Sequence, residues 1–414
     1  MGSGNSFATT LNVVIDPAFA LPLVTALLTV CGIGYSVLAL WGARRFRLAA
    51  KAQASASPSV ASLPGISVLK PLRGLDSRMY AGFVSHCTQT YPGPFELIFG
   101  VGSLEDAAVA EVAKLRVEYP HIPIQLIECT KRLGTNGKLS SLTQMLPHAA
   151  FEHVVVNDSD ILVSPNYLTC IVAPFLQSRT QPTGAGAAMQ GVGLVTVPYL
   201  GRSERTLFSR LEALGISTDF IPGVLAARAL EGGLRFGLGS TLATTKTALA
   251  SIGGFAPLVD QLADDYELGA RLHKAGYRVE LVAEIVATSV PAYTLRGFAD
   301  HQLRWSRSTR DSRRAGYFGL LFTYVLPWAL ATVLASGFAL WSFSLLSVAL
   351  LARIAVALTV GVGLLQDGQV LRDLALLPVR DGFALFFWAW SYASDEVVWR
   401  GERFRLHRGM LEKV

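Results

Sequence analysis

The sequence predicts an α/β domain built on a mostly parallel sheet and carried by α-helical transmembrane segments. Three observations point there: short β-branched runs alternate with amphipathic stretches from Ile66 to about Ala299, apolar blocks lie on both sides of that region, and basic clusters sit beside those blocks. Of 414 residues, 51% are hydrophobic and only 16% charged, with a mean hydropathy of +0.41, which excludes an ordinary soluble protein. The net charge of +6 is too small and scattered for a nucleic-acid groove, whereas an anionic membrane surface suits it. Cys31, Cys87, Cys129 and Cys170 lie far apart without a Cys-x-x-Cys, so neither a zinc site nor a disulfide framework is expected, and a reducing compartment fits.

Residues 1–48 read as an N-terminal anchor whose span, Ala18 to Trp41, is followed at once by Arg44, Arg45, Arg47 and Lys51. A signal peptide would carry its charge before a shorter apolar stretch, so the anchor is retained and the next domain faces the cytoplasm. Residues 49–65, rich in Ala, Ser and Pro, read as a linker. In the domain at 66–315, buried strands are expected at Ile66–Leu69, Glu96–Val101, Ile124–Glu128, His153–Val156 and Val192–Val197, and a helix at Ala107–Tyr119. Gly184–Gly193 reads as a loop, because no strand and helix flank it in the dinucleotide-binding pattern. Gly316 to Leu365 carries one charge, Arg353, and accounts for two transmembrane helices over 316–366. Arg353 should face other helices or snorkel. The aromatic stretch Phe383–Tyr392 is too short to cross, so 367–414 reads as an interfacial or re-entrant segment and a basic cytoplasmic tail, making three crossings in all.

In such sheets ligands bind beyond the carboxyl ends of the strands. There, Val156 is followed by Asn157-Asp158-Ser159-Asp160, and carboxylates at i and i+2 can converge on a hard divalent cation, though a plain turn after a strand accounts for them equally well. Asp264 and Asp265 precede the amphipathic stretch Tyr266–Lys274. One suits an N-cap or the first helical turn, and the other is then spare as a general base. Arg304 and Trp305, in His301-Gln302-Leu303-Arg304-Trp305, pair a phosphate-binding fork with an apolar plate, and an interfacial membrane anchor has the same composition. Lys138 follows a Gly-containing loop and can either reach a phosphate or be solvated.

The order of these parts resembles the membrane-associated inverting glycosyltransferases of GT-A fold, whose signature is three aspartates and (Gln/Arg)-x-x-Arg-Trp. Lys70-Pro71-Leu72-Arg73-Gly74, Tyr91-Pro92, Gly134-Thr135-Asn136-Gly137-Lys138 and Trp399-Arg400-Gly401-Glu402-Arg403-Phe404 narrow the resemblance to the ceramide glucosyltransferase family (glycosyltransferase family 21), which includes bacterial hopanoid-associated enzymes. The resemblance implies a GT-A-type catalytic domain on the cytoplasmic face of a multi-pass protein, in a bacterial inner membrane. It implies a UDP-sugar donor, a membrane lipid acceptor, and Mg²⁺ or Mn²⁺ on Asp158 and Asp160. Asp265 would be the base, and Lys70, Asp106, Lys138, Asp264, His301, Arg304 and Trp305 would contact substrate. The family's first aspartate is Ser103 here, leaving Glu105 or Asp106 for uridine, and His301 stands where the family has Gln or Arg. Glucose transfer to ceramide leads, with N-acetylglucosamine transfer to a hopanoid close behind. A processive polysaccharide synthase needs more spans, and a transport or structural membrane protein does not need the spaced acidic motifs.

Overall fold

The computed structural model describes residues 17–55, 63–178, 190–399 and 401–413. The chain opens with α1 (Pro17–Ser55) and alternates β1 (Ile66–Pro71), α2 (Met79–Cys87), β2 (Phe95–Val101), α3 (Ala108–Glu118), β3 (Ile124–Glu128), α4 (Gly137–Met145), β4 (His153–Val156) and α5 (Tyr167–Ser178). A second half adds β5 (Gln190–Thr196), β6 (Tyr199–Ser203), α6 (Leu207–Gly215), α7 (Ile221–Glu231), β7 (Leu242–Thr245), α8 (Lys246–Ser251), α9 (Asp264–Lys274), β8 (Tyr277–Leu281), β9 (Val286–Val290) and α10 (Leu295–Ser312).

The main sheet runs β3-β2-β1-β4-β7-β5-β8, parallel except at β7, which is antiparallel to both β4 and β5. The first strands are largely apolar because helices cover both faces, with Val68, Leu97, Phe99 and Val154 fully buried and Ser67, Lys70 and Glu96 as buried polar exceptions. The five strands expected from sequence correspond to β1–β5. Residues 190–193 belong to β5 rather than to the expected loop, Gly193 packing directly against Tyr277 of β8, while 179–189 lie outside the described residues. β6–β9 were beyond sequence reading, because their polar alternation is broken by short, half-covered stretches such as Val286–Val290.

Beyond the domain follow α11 (Arg314–Gly319), α12 (Val325–Ala335), α13 (Leu340–Val356), α14 (Gln369–Asp373) and α15 (Leu377–Ser391). Ala20–Lys51 and Leu340–Val362 are each long and apolar enough to cross a bilayer. The other expected C-terminal span is not continuous: Arg314–Phe322 and Val325–Ala335 meet at a 47° bend. Leu207–Glu231 also passes by length and composition, but 61% of its apolar window is buried inside the protein, so its hydrophobicity serves packing. α1 lies against α12 and α7. A Cβ on Gly32 would come within 2.8 Å of Val325, and one on Gly42 within 2.6 Å of the Leu225 carbonyl, so small residues permit the close approach.

Two boundaries differ from the sequence reading. α1 continues to Ser55, so the first part of the expected linker is helical, with Ala-rich composition favouring helix over coil. The expected basic tail folds into an antiparallel sheet of β10 (Glu396–Trp399), β11 (Glu402–His407) and β12 (Met410–Lys413). Its alternating Phe404, Leu406 and Leu411 close over Leu262 of the α/β domain while Arg403, Arg405 and Arg408 are exposed. The aromatic stretch at Phe383 lies in the 15-residue α15, packed on α10 and α12.

Arg353 faces its neighbours. It donates to both Asp381 carboxylate oxygens at 2.8 Å and to the Thr218 carbonyl at 2.7 Å. Removing one partner of such a buried pair leaves an uncompensated charge. Arg353→Leu is therefore expected to destabilise by about 3–5 kcal/mol, and Arg353→Leu/Asp381→Leu to recover most of it, as read by thermal unfolding in detergent.

Candidate active site

The site is built at the carboxyl end of β4. Asn157 is fully buried and fixes the turn, donating to Tyr167 Oη (3.0 Å), the Ser240 carbonyl (2.7 Å) and Thr241 Oγ1 (3.1 Å). Beneath it, Lys70 of β1 is fully buried and donates to the Asp158 carbonyl at 2.9 Å. Burial pushes the Lys70 amine down to about 7, partly opposed by Asp160 and Asp158. Lys70 thus supports the acidic turn from below.

Asp158 and Asp160 have different surroundings. The Asp158 side chain is 45% exposed and its Oδ1 lies 2.7 Å from Lys138 Nζ. Asp160 turns Oδ2 toward β9, accepting from Thr288 Oγ1 (2.8 Å) and the Ser289 amide (2.5 Å), and burial raises its pKa. Ser159 Oγ donates to Asp76, a residue of the loop after β1 that sequence reading passed over.

Lys138 ties this turn to the second acidic motif, its Nζ standing 3.4 Å from Asp264 Oδ2. It is placed by the N-terminus of α4, where Asn136 caps the helix by accepting from the Leu139 amide (3.2 Å) and donates Nδ2 to the Gln261 carbonyl (2.8 Å). Burial opposes the Lys138 charge, but Asp158 and Asp264 outweigh it and raise its pKa.

Asp264 and Asp265 form the first turn of α9. Neither caps it, since the N-cap is Ala263, which makes no side-chain cap bond; both take the first-turn place that acidic residues also favour. Asp264 faces Lys138, and burial raises its pKa against that cation. Asp265 points elsewhere. Its Oδ1 accepts from the Tyr266 amide (2.8 Å), and Oδ2 lies so near Gly239 that a Cβ there would come within 3.1 Å. Burial, then the neighbouring Asp264 charge, pushes the Asp265 carboxyl up to about 6 despite Lys138.

The third motif lies on α10. Trp305 packs against Phe220 (ring centroids 5.8 Å apart) and His301 (5.2 Å), and Arg304 beside it is half-buried. His301 faces Glu212 of α6, with Nδ1 3.4 Å from Oε1, and Gln302 donates to the same carboxylate. His301 therefore docks α10 onto α6. Glu212, the acid inside an apolar stretch, was the available signal for this contact. Asp106 accepts from the Gly74 amide (2.9 and 3.0 Å) and the Ala108 amide (2.9 Å), clamping the β1 loop to the start of α3, while Glu105 is exposed. The structure thus brings Asp158, Lys138, Asp264 and Asp265 together, and sets Lys70, Asp106 and His301 in supporting contacts.

A family model described as glycosyl transferase family 21 matches residues 24–411. The chain belongs to that family. It is similar to ceramide glucosyltransferase 3 of Caenorhabditis elegans (24% identity over 59% of this chain and 50% of the relative) and to ceramide glucosyltransferase 1 of the same organism (23%, 59% and 49%). The chain thus spans about half the length of the curated relatives it matches. A mannosyltransferase of Pyrobaculum calidifontis, solved with GDP-mannose and Mn²⁺, superposes with a TM-score of 0.50 at 19% identity, over 89% of this chain and 99% of that one. This likeness establishes the GT-A fold.

In this family 21 chain, among the described residues, no group of three or more His, Cys, Asp or Glu is placed to hold a metal. Asp158 and Asp160 alone make a sparse set of hard oxygen donors. With Asp160 Oδ2 taken up by Thr288 and Ser289 and Asp158 half-exposed, these residues could hold Mg²⁺ or Mn²⁺ where a bound ligand or water supplies the remaining oxygens.

Proposed function

We propose that the protein is an inverting glycosyltransferase moving a sugar from a UDP-sugar to a membrane-lipid hydroxyl, with glucose and ceramide the leading pair. The observation that carries this reading is the Asp265 carboxyl. It is a buried carboxyl with raised affinity for protons, set one residue from the Asp264–Lys138–Asp158 cluster, on a domain whose last helix runs into the apolar segments.

Asp265 accepts the acceptor's hydroxyl proton as the oxygen attacks the anomeric carbon. The bond from that carbon to the diphosphate breaks on the opposite face, and its electron pair leaves with UDP. One displacement inverts the centre. A cation held by Asp158 and Asp160 would supply Lewis-acid neutralisation of the diphosphate. Lys138 and Arg304 add fixed positive charge near the leaving group. Apolar α1 and α13 keep a lipid acceptor in the bilayer, with the catalytic domain on the cytoplasmic face as the Arg44–Lys51 cluster favours. The names of the curated relatives support the choice of ceramide.

The test is transfer from UDP-glucose and UDP-N-acetylglucosamine to ceramide and bacteriohopanetetrol, with the product's anomeric configuration read by NMR. A retained configuration, or no transfer to any lipid, overturns the reading. A base must be ionised to work, so activity should fall as pH drops through about 6, where Asp265 protonates among Asp264, Lys138 and Asp158. A limb instead near the ordinary carboxylate range would point to another base.

A further inference from the structure

We propose that this chain binds the phosphate head of an anionic membrane lipid between two arginines, Arg45 of α1 and Arg228 of α7, at the level where α1 leaves the bilayer. The inference goes beyond the transfer reaction and holds whichever donor and acceptor the enzyme takes.

The pairing follows from how the two helices meet. A Cβ on Gly223 would lie 3.4 Å from Tyr35 Oη, one on Gly42 would lie 2.6 Å from the Leu225 carbonyl, and the Arg228 guanidinium stands 5.6 Å from the centre of the Phe46 ring. These contacts advance along both helices together, so α1 and α7 run side by side in the same direction and Arg228 is level with Phe46. Arg45 immediately precedes Phe46, at the edge of the packed face. It is exposed, with its guanidinium 4.9 Å from the centre of the Trp41 ring. Burial holds the Arg228 guanidinium below its usual range, Glu280 opposes this, and the Arg45 charge adds to it, so the two cations act on each other.

Length sets the depth of the pair. The 32 residues of Ala20–Lys51 make an upright helix of about 48 Å, against about 30 Å of hydrocarbon, so about twelve residues, from about Leu40 onward, run through the headgroup layer. Trp41 sits at the level where aromatic side chains mark a bilayer boundary. Arg45 is one turn further on, among lipid phosphates, and the close contact at Gly42 and Leu225 holds Arg228 at the same height.

Charge and surroundings select the ligand. Among the described residues, neither Arg45 nor Arg228 has a carboxylate within the 4.0 Å of an ion pair. Glu231, one turn further along α7, is engaged by Arg313 (2.5 Å) and Arg235 (3.6 Å), and Glu280 by Arg278 (3.9 Å). Two guanidiniums held together by packing repel unless an anion joins them, and phosphate oxygens accept from both forks. A lipid suits the site better than a free anion, because Trp41, Val37 and Val30 continue the Arg45 face of α1 into the bilayer and are exposed, which gives an acyl chain a surface beneath its head. An anionic head suits it better than a zwitterionic one, whose ammonium would meet the same two arginines.

The test uses the full chain in detergent, with dioleoylphosphatidylglycerol and dioleoylphosphatidylcholine as probes and native mass spectrometry to count retained lipid. Phosphatidylglycerol should bind about tenfold more tightly than phosphatidylcholine, and Arg45→Gln and Arg228→Gln should each remove most of that preference. Arg403→Gln, at an exposed arginine of the C-terminal sheet, should leave it unchanged. Equal binding of the two lipids, or an equal loss in all three variants, overturns the site. Displacement of phosphatidylglycerol by millimolar inorganic phosphate would reveal a free-anion site and overturn the lipid assignment. If Arg228→Gln fails to fold, a phosphatidylglycerol with a photoactivatable group on its terminal glycerol decides on wild-type protein. Labelling of peptides holding Arg45 or Arg228 supports the site, and labelling only elsewhere overturns it.

Discussion

Asp265→Asn is expected to lower sugar transfer by about 10²–10⁴-fold while UDP affinity stays near wild type. The substitution keeps the side chain's shape and the oxygen that accepts from the Tyr266 amide, and it removes a charge that burial already disfavours, so folding is not penalised. What is lost is the proton acceptor. Asp264→Asn is the informative control. Its partner is Lys138 and its charge helps raise Asp265, so it should change donor affinity and shift the acidic limb to lower pH while keeping turnover above that limb. Steady-state transfer from radiolabelled UDP-sugar, with UDP binding by calorimetry, separates the two roles. Transfer by Asp265→Asn near the wild-type rate would remove Asp265 as the base.

Phe404→Ala should cut kcat by about 10²-fold without touching any residue near the donor. Phe404 is 2% exposed in the small C-terminal sheet, packed with Val397, Leu406, Leu411 and Leu262, and its truncation costs about 3–5 kcal/mol in a unit with few other core residues. That sheet holds the loop before the base: the Leu411 amide donates to the Asp260 carbonyl (2.8 Å) and the Leu262 amide to the Gly409 carbonyl (3.0 Å). Asp260 in turn accepts from the Thr135 amide (2.8 Å) and hydroxyl (3.0 Å), which anchors the Lys138 loop. Loosening the sheet therefore displaces Asp264, Asp265 and Lys138 together. Hydrogen exchange at 260–265 should accelerate in parallel, and Phe404→Leu should restore most of the activity. Unchanged kcat with accelerated exchange would show that the tail holds the loop without bearing on the chemistry.

The parts of the site legible in sequence were those where chemistry and local structure share one short stretch. Asp158 and Asp160 end an apolar run, so a strand end and a pair of carboxylates are read at once. Asp264 and Asp265 open an amphipathic helix, although which of them faced the cation was open until Lys138 was seen beside Asp264. Contacts that depend on distant chain were not legible. Glu212 takes meaning only from His301 and Gln302, and the buried Asn157 only from Tyr167 and Thr241. Lys70 read as a substrate contact, yet its position on a central strand sends the amine under the acidic turn to the Asp158 backbone.

Hydrophobic periodicity, length and charge placement act locally, and they determined the α/β class, the N-terminal apolar helix, the apolar block after Arg314 and the acidic strand end. Tertiary structure decided the rest. The run from Arg314 to Ala335 is apolar enough for one span, and Pro327, with no N–H for the Thr323 carbonyl, breaks it locally at Thr323–Tyr324, but that its halves pack on α1 and α15 was set by the tertiary structure. The basic tail is locally indistinguishable from a solvated cytoplasmic end. It becomes a sheet where Leu262, the Asp260 backbone and Arg307 and Asp311 of α10 give it apolar and hydrogen-bonding partners. Such long-range partners leave no periodic signal in the chain, because much of the free energy of ordering the tail comes from residues far away in sequence, on α10 and at Asp260–Leu262.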